Sequence, residues 1–294
     1  EPGRRHQLIE SNIVFCLHPD KELVAGVLKQ MPHLDFVQSL SAGVDHIDFS
    51  HFPDKTSVAC NAGAYAEPMA EHILAMVLAL TKKLPQRQQA MRDGEFDQLS
   101  ITGSLRGKVA GILGYGGIGK ETAKLLRDLG MTILAINSSG SPQPHVEFTG
   151  TISDLEQVMR ASDVFVVSLP LTIDTKDLLG AEQLAWLKPD SIFVNVARGE
   201  IVDQQALYEH LKTHPEASAA IDAWWVEPFR HGEFRIDYPF LDLPNVLASP
   251  HNSPRAPGAD LLAVRQAAAN INRFLTAQKV TGLVDLKRDS YPQQ

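Results

Sequence analysis

The chain has 294 residues, long for one hydrophobic core and natural for two domains, with apolar (44%) and charged (21%) contents ordinary for a globular protein. Its net charge is −8, from 27 basic and 35 acidic residues, and no basic cluster is longer than Arg4-Arg5 or Lys82-Lys83. That balance argues against nucleic acid or an anionic membrane as partner. In chain order, residues 13–17 (I-V-F-C-L) read as a buried strand and 21–29 as an amphipathic helix. Residues 36–40 read as a second strand, ending in the turn Ser41-Ala42-Gly43-Val44-Asp45. A third strand around 58–60 runs into Asn61-Ala62-Gly63-Ala64-Tyr65. The long helix expected over 67–83 is apolar on most faces, which suits burial between domains or subunits and predicts a homodimer.

From about 105 to 250 the pattern is strand then helix, repeated. Strands are expected at Val109–Leu113, Thr132–Ile136, Val164–Val167, 192–196, 217–221 and Val246–Ala248, with helices at 119–129, 153–160, 181–187 and 203–211. The strands are rich in Val, Ile and Leu without alternation, as parallel strands covered on both faces are. Six strands with crossover helices predict an α/β fold with a doubly wound parallel sheet. Residues 228–239 read as an exposed loop, 258–276 as a final helix and 282–291 as a tail. No apolar run approaches the roughly 18 residues of a membrane span, and no charged-then-apolar leader is visible in a chain that begins Glu1-Pro2-Gly3. Cys16 and Cys60 fit no metal-ligand spacing; the expectation is reduced thiols in a cytoplasmic protein, with no bound metal.

The most telling stretch is 109–119, V-A-G-I-L-G-Y-G-G-I-G, where a strand breaks into Gly114-x-Gly116-x-x-Gly119 and a helical pattern follows. Gly114 allows a tight turn. Gly116 lacks a Cβ, so a pyrophosphate can approach the backbone, and Gly119 lets the helix pack on the strand. The helix start at Gly117, Ile118 and Gly119 offers N–H groups and partial positive charge to the phosphates, which predicts a dinucleotide site.

Three polar residues fall just after the ends of consecutive strands, where ligands of open α/β sheets bind. They are Arg198 in N-V-A-R-G, Glu227 in I-D-A-W-W-V-E-P and His251 in A-S-P-H-N. An Arg can grip a carboxylate with two parallel bonds. A His moves a proton near neutral pH, and a neighbouring carboxylate fixes its tautomer. Each alone has an ordinary structural reading; together they suit moving a hydride and a proton across a C–O bond.

Through these and further motifs, the chain resembles the D-isomer specific 2-hydroxyacid dehydrogenase family from about Met31 to the C-terminus. The matching pieces are S-A-G-V-D-H-I-D (41–48), A-E-H (70–72), L-R-G-K-V-A-G-I-L-G-Y-G-G-I-G (105–119), S-L-P-L-T (168–172), N-V-A-R-G (195–199), D-x-x-x-x-E-P (222–228) and S-P-H (249–251). The resemblance implies two Rossmann-like lobes. The substrate lobe is discontinuous (1–82 and 265–294) and the dinucleotide-binding lobe spans 83–264. It implies an enzyme like the glyoxylate and hydroxypyruvate reductases, acting on a small 2-keto or 2-hydroxy acid. His251 would be the acid/base, Glu227 its orienting carboxylate and Arg198 the group that binds the substrate carboxylate and polarises the carbonyl. Amides around Ala42 and Gly43 would hold the other side of that carboxylate. Asp222 would contact the nicotinamide carboxamide, with Pro170, Thr172 and Ala197 along the cofactor.

The chain departs from the family pattern in places. Where an NAD enzyme has Asp or Glu to read the adenine ribose, this chain has Asn137, followed by Ser138-Ser139-Gly140. Loss of the carboxylate removes repulsion toward a 2′-phosphate, so NADP(H) is favoured; no Arg or Lys lies within 137–144, and NAD(H) stays open. Relatives open with an extra strand and helix, whereas only residues 1–12 precede the first strand here, which leaves the first sheet open. Asn252-Ser253-Pro254 replaces a small or apolar run after His251. Of Trp224 and Trp225, one is expected in the core and the other toward a pocket or interface. Two rival readings are a cofactor-sensing corepressor-like binding protein of the same fold, and a related formate or phosphite dehydrogenase. Gln in place of Glu227 would mark the formate enzymes.

Overall fold

The structure, a computed structural model, describes residues 2–286; the expected tail from residue 287 onward lies outside the described residues. The backbone divides into two compact units. The first comprises the described parts of 1–65 and 256–294 together with 171–174. Its parallel sheet has three strands in the order β1 (Ile13–Cys16), β2 (Phe36–Ser39), β3 (Ser57–Ala59). The helix expected over 21–29 is instead two short pieces, Pro19–Glu22 and Ala25–Leu28, with Val24 extended between them. Leu23 and Leu28 are both buried. On one straight helix, residues five apart point about 140° from each other; the break lets both join Val14, Met31, Leu34 and Val37 in the core. The helix Ala259–Leu275 packs on β2. There Phe274 stacks on Phe36 at 4.4 Å between centroids, and the buried Asn270 donates to Gln38 at 2.6 Å.

The second unit comprises 66–170 and 175–255. Its strands are β4 (Val109–Leu113), β5 (Thr132–Ile136), β6 (Phe148–Gly150), β7 (Val164–Val167), β8 (Ile192–Asn195), β9 (Ser218–Ile221) and β10 (Val246–Ala248). They form one parallel sheet in the order β10-β9-β8-β7-β4-β5-β6. This is the doubly wound arrangement, with its switch of direction between β4 and β7. The sheet has one strand more than expected, because β6 is a three-residue edge strand with no pattern to betray it. All strands run the same way, so the loops after β4, β5, β7, β8, β9 and β10 leave one edge of the sheet. At the opposite edge the Asp163 carboxylate accepts from the Val109 amide at 2.8 Å and from Lys188 at 3.0 Å, tying the starts of β4, β7 and β8 together.

The long helix, Ala66–Thr81, buries Met69, Ile73, Met76, Val77 and Leu80 and packs on helix Gly117–Asp128 and on β8 and β9. Its apolar surface is thus largely used inside this unit, and does not of itself call for a partner. The next helix, Leu84–Arg92, has no buried residue and so no apolar stripe for a sequence reading to find. Among the described residues no helix is long and apolar enough to cross a membrane. Nor do any three His, Cys, Asp or Glu side chains among them come together to hold a metal ion.

Candidate active site

The glycine turn follows β4, and its glycines are required for three separate reasons. Gly114 has φ 97°, and a Cβ there would press on the backbone of Ser168 and Leu169 at 2.6–2.9 Å. Gly119 is buried, and a Cβ would strike the Gly114 carbonyl. Gly116, the N-cap of helix Gly117–Asp128, has open space where a Cβ would be. The first helical bond runs from the Lys120 amide to the Gly116 carbonyl at 3.0 Å, so the amides of Gly117, Ile118 and Gly119 precede it. Clearance at Gly116 beside three N-terminal amides fits a pyrophosphate. The Ser168 hydroxyl donates to the Gly114 carbonyl at 2.7 Å and fixes the turn against the loop after β7.

The loop after β5 is organised by Asn137. Its Oδ1 accepts from the Ser139 amide at 3.0 Å, the Ser139 hydroxyl at 3.1 Å and the Gly140 amide at 2.7 Å. This is an Asx turn, in which the side chain shapes its own loop. Ser138 and Ser139 are left exposed.

The N-V-A-R-G turn after β8 is shaped by Asn195, which donates to the Arg198 carbonyl at 2.9 Å and accepts from the Ala197 amide at 3.0 Å. A Cβ on Gly199 would run into the backbone of Trp224 and Trp225. Arg198 is half-buried and its Nη1 donates to the Ala197 carbonyl at 2.8 Å. After β9, Glu227 is 7% exposed and its Oε1 accepts from the Trp224 amide at 2.7 Å. The Nδ1 atom of His251 lies 2.8 and 2.7 Å from the two Glu227 oxygens. A carboxylate only accepts, so Nδ1 carries the proton and Nε2 is the atom left for a ligand. Burial pushes the Glu227 carboxyl up. The hydrogen bond and charge of His251, the Trp224 amide and the Arg198 guanidinium outweigh it, and the group sits below its ordinary value. His251 itself has φ 51°, a left-handed backbone that costs a non-glycine residue about 1–2 kcal/mol.

Several contacts hold that backbone in place. Asp222 is fully buried; its Oδ1 accepts from the Ser249 hydroxyl at 2.5 Å and the Asn252 amide at 3.2 Å, and its Oδ2 from the Ser253 amide at 3.3 Å. Trp224 is buried and its indole N–H donates to the Ser249 carbonyl at 2.9 Å. Trp225 is half-buried, donates to the Val202 carbonyl at 2.7 Å and stacks on Phe240. His72, on the long helix, places Nε2 3.0 Å from the Ser249 hydroxyl. The sequence reading gave His72 no role. The available signal was a polar residue beside the buried positions 69, 73 and 76 of that helix.

Of the expected site residues, the second unit holds the glycine turn, Asn137, Ser138, Ser139, Pro170, Ala197, Arg198, Asp222, Glu227 and His251, all on loops at one edge of its sheet. Pro170 is exposed, and its carbonyl accepts from the Thr175 hydroxyl at 2.8 Å. Ala42, Gly43 and Thr172 belong to the first unit, where the Ser41 hydroxyl donates to the Gly43 carbonyl at 2.9 Å.

Residues 74–253 match the family model for the D-isomer specific 2-hydroxyacid dehydrogenase NAD binding domain. The chain is 31% identical over 272 residues to D-3-phosphoglycerate dehydrogenase of Archaeoglobus fulgidus, a match covering 91% of this chain and 51% of that protein. It is 30% identical over 302 residues to glyoxylate reductase of Thermofilum pendens, covering 97% and 85%. The chain spans about half the length of the first curated relatives it matches. Among solved structures, a D-isomer specific 2-hydroxyacid dehydrogenase from Xanthobacter autotrophicus Py2, in complex with NADPH and MES, superposes with a TM-score of 0.79 at 29% identity, over 94% of this chain and 85% of that one. The expected fold holds, and by motif, sheet order and alignment this chain belongs to the D-isomer specific 2-hydroxyacid dehydrogenase family, with the family's NAD-binding domain in its second unit.

Proposed function

We propose that the protein interconverts a small 2-keto acid and the corresponding D-2-hydroxyacid with a nicotinamide cofactor. The observation that carries this reading is the Glu227–His251 pair. A buried carboxylate holds Nδ1 of a partly exposed imidazole, so Nε2 is offered to a substrate at the same sheet edge as Arg198 and the pyrophosphate cradle. A bound nicotinamide supplies or removes the hydride at the substrate carbon. Arg198 grips the carboxylate through its guanidinium fork and draws electron density from the carbonyl oxygen. His251, doubly protonated, gives its Nε2 proton to that oxygen in reduction and recovers one from the hydroxyl in oxidation. Glu227 keeps the ring in one orientation. Family resemblance supports assigning the Ala42 and Gly43 amides to the substrate carboxylate, and Pro170, Thr172 and Ala197 to the cofactor. Asp222 is assigned to the carboxamide, through the lone pair its three loop donors leave.

NADP(H) is the preferred cofactor in this reading. The support is a neutral Asn137 committed to its own turn and two exposed serines after it. Glyoxylate or hydroxypyruvate is the favoured substrate, in keeping with the glyoxylate reductase among the relatives. A homodimer is supported by the exposed apolar side chains of the segment after the helix Leu84–Arg92, where Phe96, Leu99 and Ile101 are 74%, 91% and 93% exposed. A cytoplasmic location is supported by two cysteines that form no disulfide, with burial and the Glu22 charge pushing the Cys16 thiol up to about 12.

The test is loss of nicotinamide absorbance with NADPH and NADH in parallel, against glyoxylate, hydroxypyruvate, pyruvate and phenylpyruvate. Consumption, faster with NADPH, is expected. Silence across the panel with the dinucleotide still bound would replace this reading with that of a cofactor-sensing binding protein.

A further inference from the structure

We infer that His72 is a positioning residue for this reaction, acting through Ser249 and Asp222 on the backbone that carries His251. The inference deepens the proposed function and rests on it. A serine hydroxyl has one proton. Asp222, an acceptor, takes it at 2.5 Å. The Ser249 oxygen can then only accept from His72, whose Nε2 stands 3.0 Å away. His72 therefore carries its proton on Nε2, the same atom that lies 3.8 Å from the buried Asp222 Oδ1.

The link matters because of what Asp222 holds. Its oxygens bind Ser249 on one side of His251 and the amides of Asn252 and Ser253 on the other. His251 sits between these anchors with φ 51°, a conformation that a side-chain-bearing residue keeps only when its flanks impose it. The Trp224 indole fixes the Ser249 carbonyl as well, but nothing in that bond selects the Ser249 side-chain rotamer. His72 selects it. A histidine 177 positions away in sequence thus sets the flank of the loop that aims Nε2 of His251.

The experiment compares His72→Leu, His72→Gln and Ser249→Ala in the full chain, with melting temperature and NADPH affinity measured for each. His72→Leu is expected to lower kcat by about tenfold or more, the scale of one buried hydrogen bond, with glyoxylate KM and NADPH Kd within about twofold. His72→Gln can donate from the same direction and is expected to recover kcat to within about threefold of wild type. Ser249→Ala removes the link from its other end together with the bond to Asp222, should lower kcat at least as far as His72→Leu, and decides the matter if the leucine variant does not fold. Combined, the two changes should do no more than Ser249→Ala alone. Wild-type kcat in His72→Leu, equal loss in the leucine and glutamine variants, or a loss carried by KM or Kd would each overturn the inference. A readout independent of turnover is the downfield proton resonance of His251 Nδ1–H in cofactor-free protein. It should be sharp in wild type and His72→Gln and broadened in His72→Leu and Ser249→Ala. An inactive wild type with that pattern would refute the proposed activity and leave the positioning intact, whereas an unchanged resonance would refute the positioning.

Discussion

Replacing His251 by Asn separates catalysis from folding more cleanly than replacing it by Ala, because residue 251 has φ 51° and Asn tolerates left-handed backbone. The variant removes Nε2 and the proton it moves. It also takes from Glu227, 7% exposed, the bonds at 2.8 and 2.7 Å, while the Trp224 amide at 2.7 Å remains. A hydrogen bond to a charged group contributes about 1.5–3 kcal/mol. Part is regained, since the His251 side chain is 26% exposed and water can enter the space it vacates. The net loss of stability is then about 1–2 kcal/mol, or about 2–8 °C in melting temperature. Turnover should fall far more, by ~10²–10⁴-fold, which is ~3–5.5 kcal/mol of transition-state stabilisation. Dinucleotide affinity should hold, because the pyrophosphate cradle belongs to β4 and its helix rather than to this loop. Steady-state rates at saturating NADPH and glyoxylate, a melting curve and a fluorescence titration with NADPH give the three quantities. A folded variant with turnover within about tenfold of wild type would refute the role of His251 as acid/base.

Other expectations follow from the same geometry. Gly116→Ala, with open space for its Cβ, should leave the melting temperature unchanged and weaken NADPH binding by about tenfold or more, whereas Gly119→Ala should lower both by striking the Gly114 carbonyl. Equal melting losses in the two would mean the cradle is misread. Asn137→Asp keeps the acceptor that builds the Asx turn and adds a charge facing a 2′-phosphate. The ratio of NADPH to NADH turnover should therefore fall; an unchanged ratio would move the ribose contact elsewhere. The Glu227 carboxyl is held below its ordinary value of 4.5, so its stabilising effect is complete above that pH and is lost as pH falls through the lowered folded value. In melting curves taken from pH 7 downward, the advantage of wild type over Glu227→Gln should be constant near neutrality and shrink below about pH 4.5. A constant difference across that range would contradict the assignment.

The parts legible in the sequence are those in which local chemistry demands a residue type. Gly114, Gly116 and Gly119 stand where a left-handed turn, an open approach and a tight helix contact each exclude a side chain, so their spacing alone announced them. Arg198, Glu227 and His251 were found because strand ends in a parallel sheet share an edge, and apolar runs mark strand ends well. Partners set by distant segments were not legible. His72 meets Ser249 across 177 positions, and Asn195 is identified as the builder of the Arg198 turn only by its two backbone bonds. Elements without a buried face were also missed: Leu84–Arg92 lacks an apolar stripe, and β6 exists because β5 offers it an edge. The helix Ala66–Thr81 shows the converse limit. Its apolar character was plain, but composition could not say whether a sheet, a neighbouring helix or a second subunit would cover it.

The bond from the Trp224 indole to the Ser249 carbonyl has a spectroscopic consequence. A buried indole anchored two residues before His251 is an intrinsic fluorophore whose emission reports on the catalytic loop. The Trp225 ring, stacked on Phe240 with its N–H on the Val202 carbonyl, is its counterpart, anchored to the segment that follows β8. Loosening of the His251 segment would shift the first signal toward that of a hydrated indole and leave the second near its resting value. The difference between wild type and each single Trp→Phe change at 224 and 225, with Trp186 as the common background, would therefore let loop order be followed by light alone, during binding or melting, without an added label.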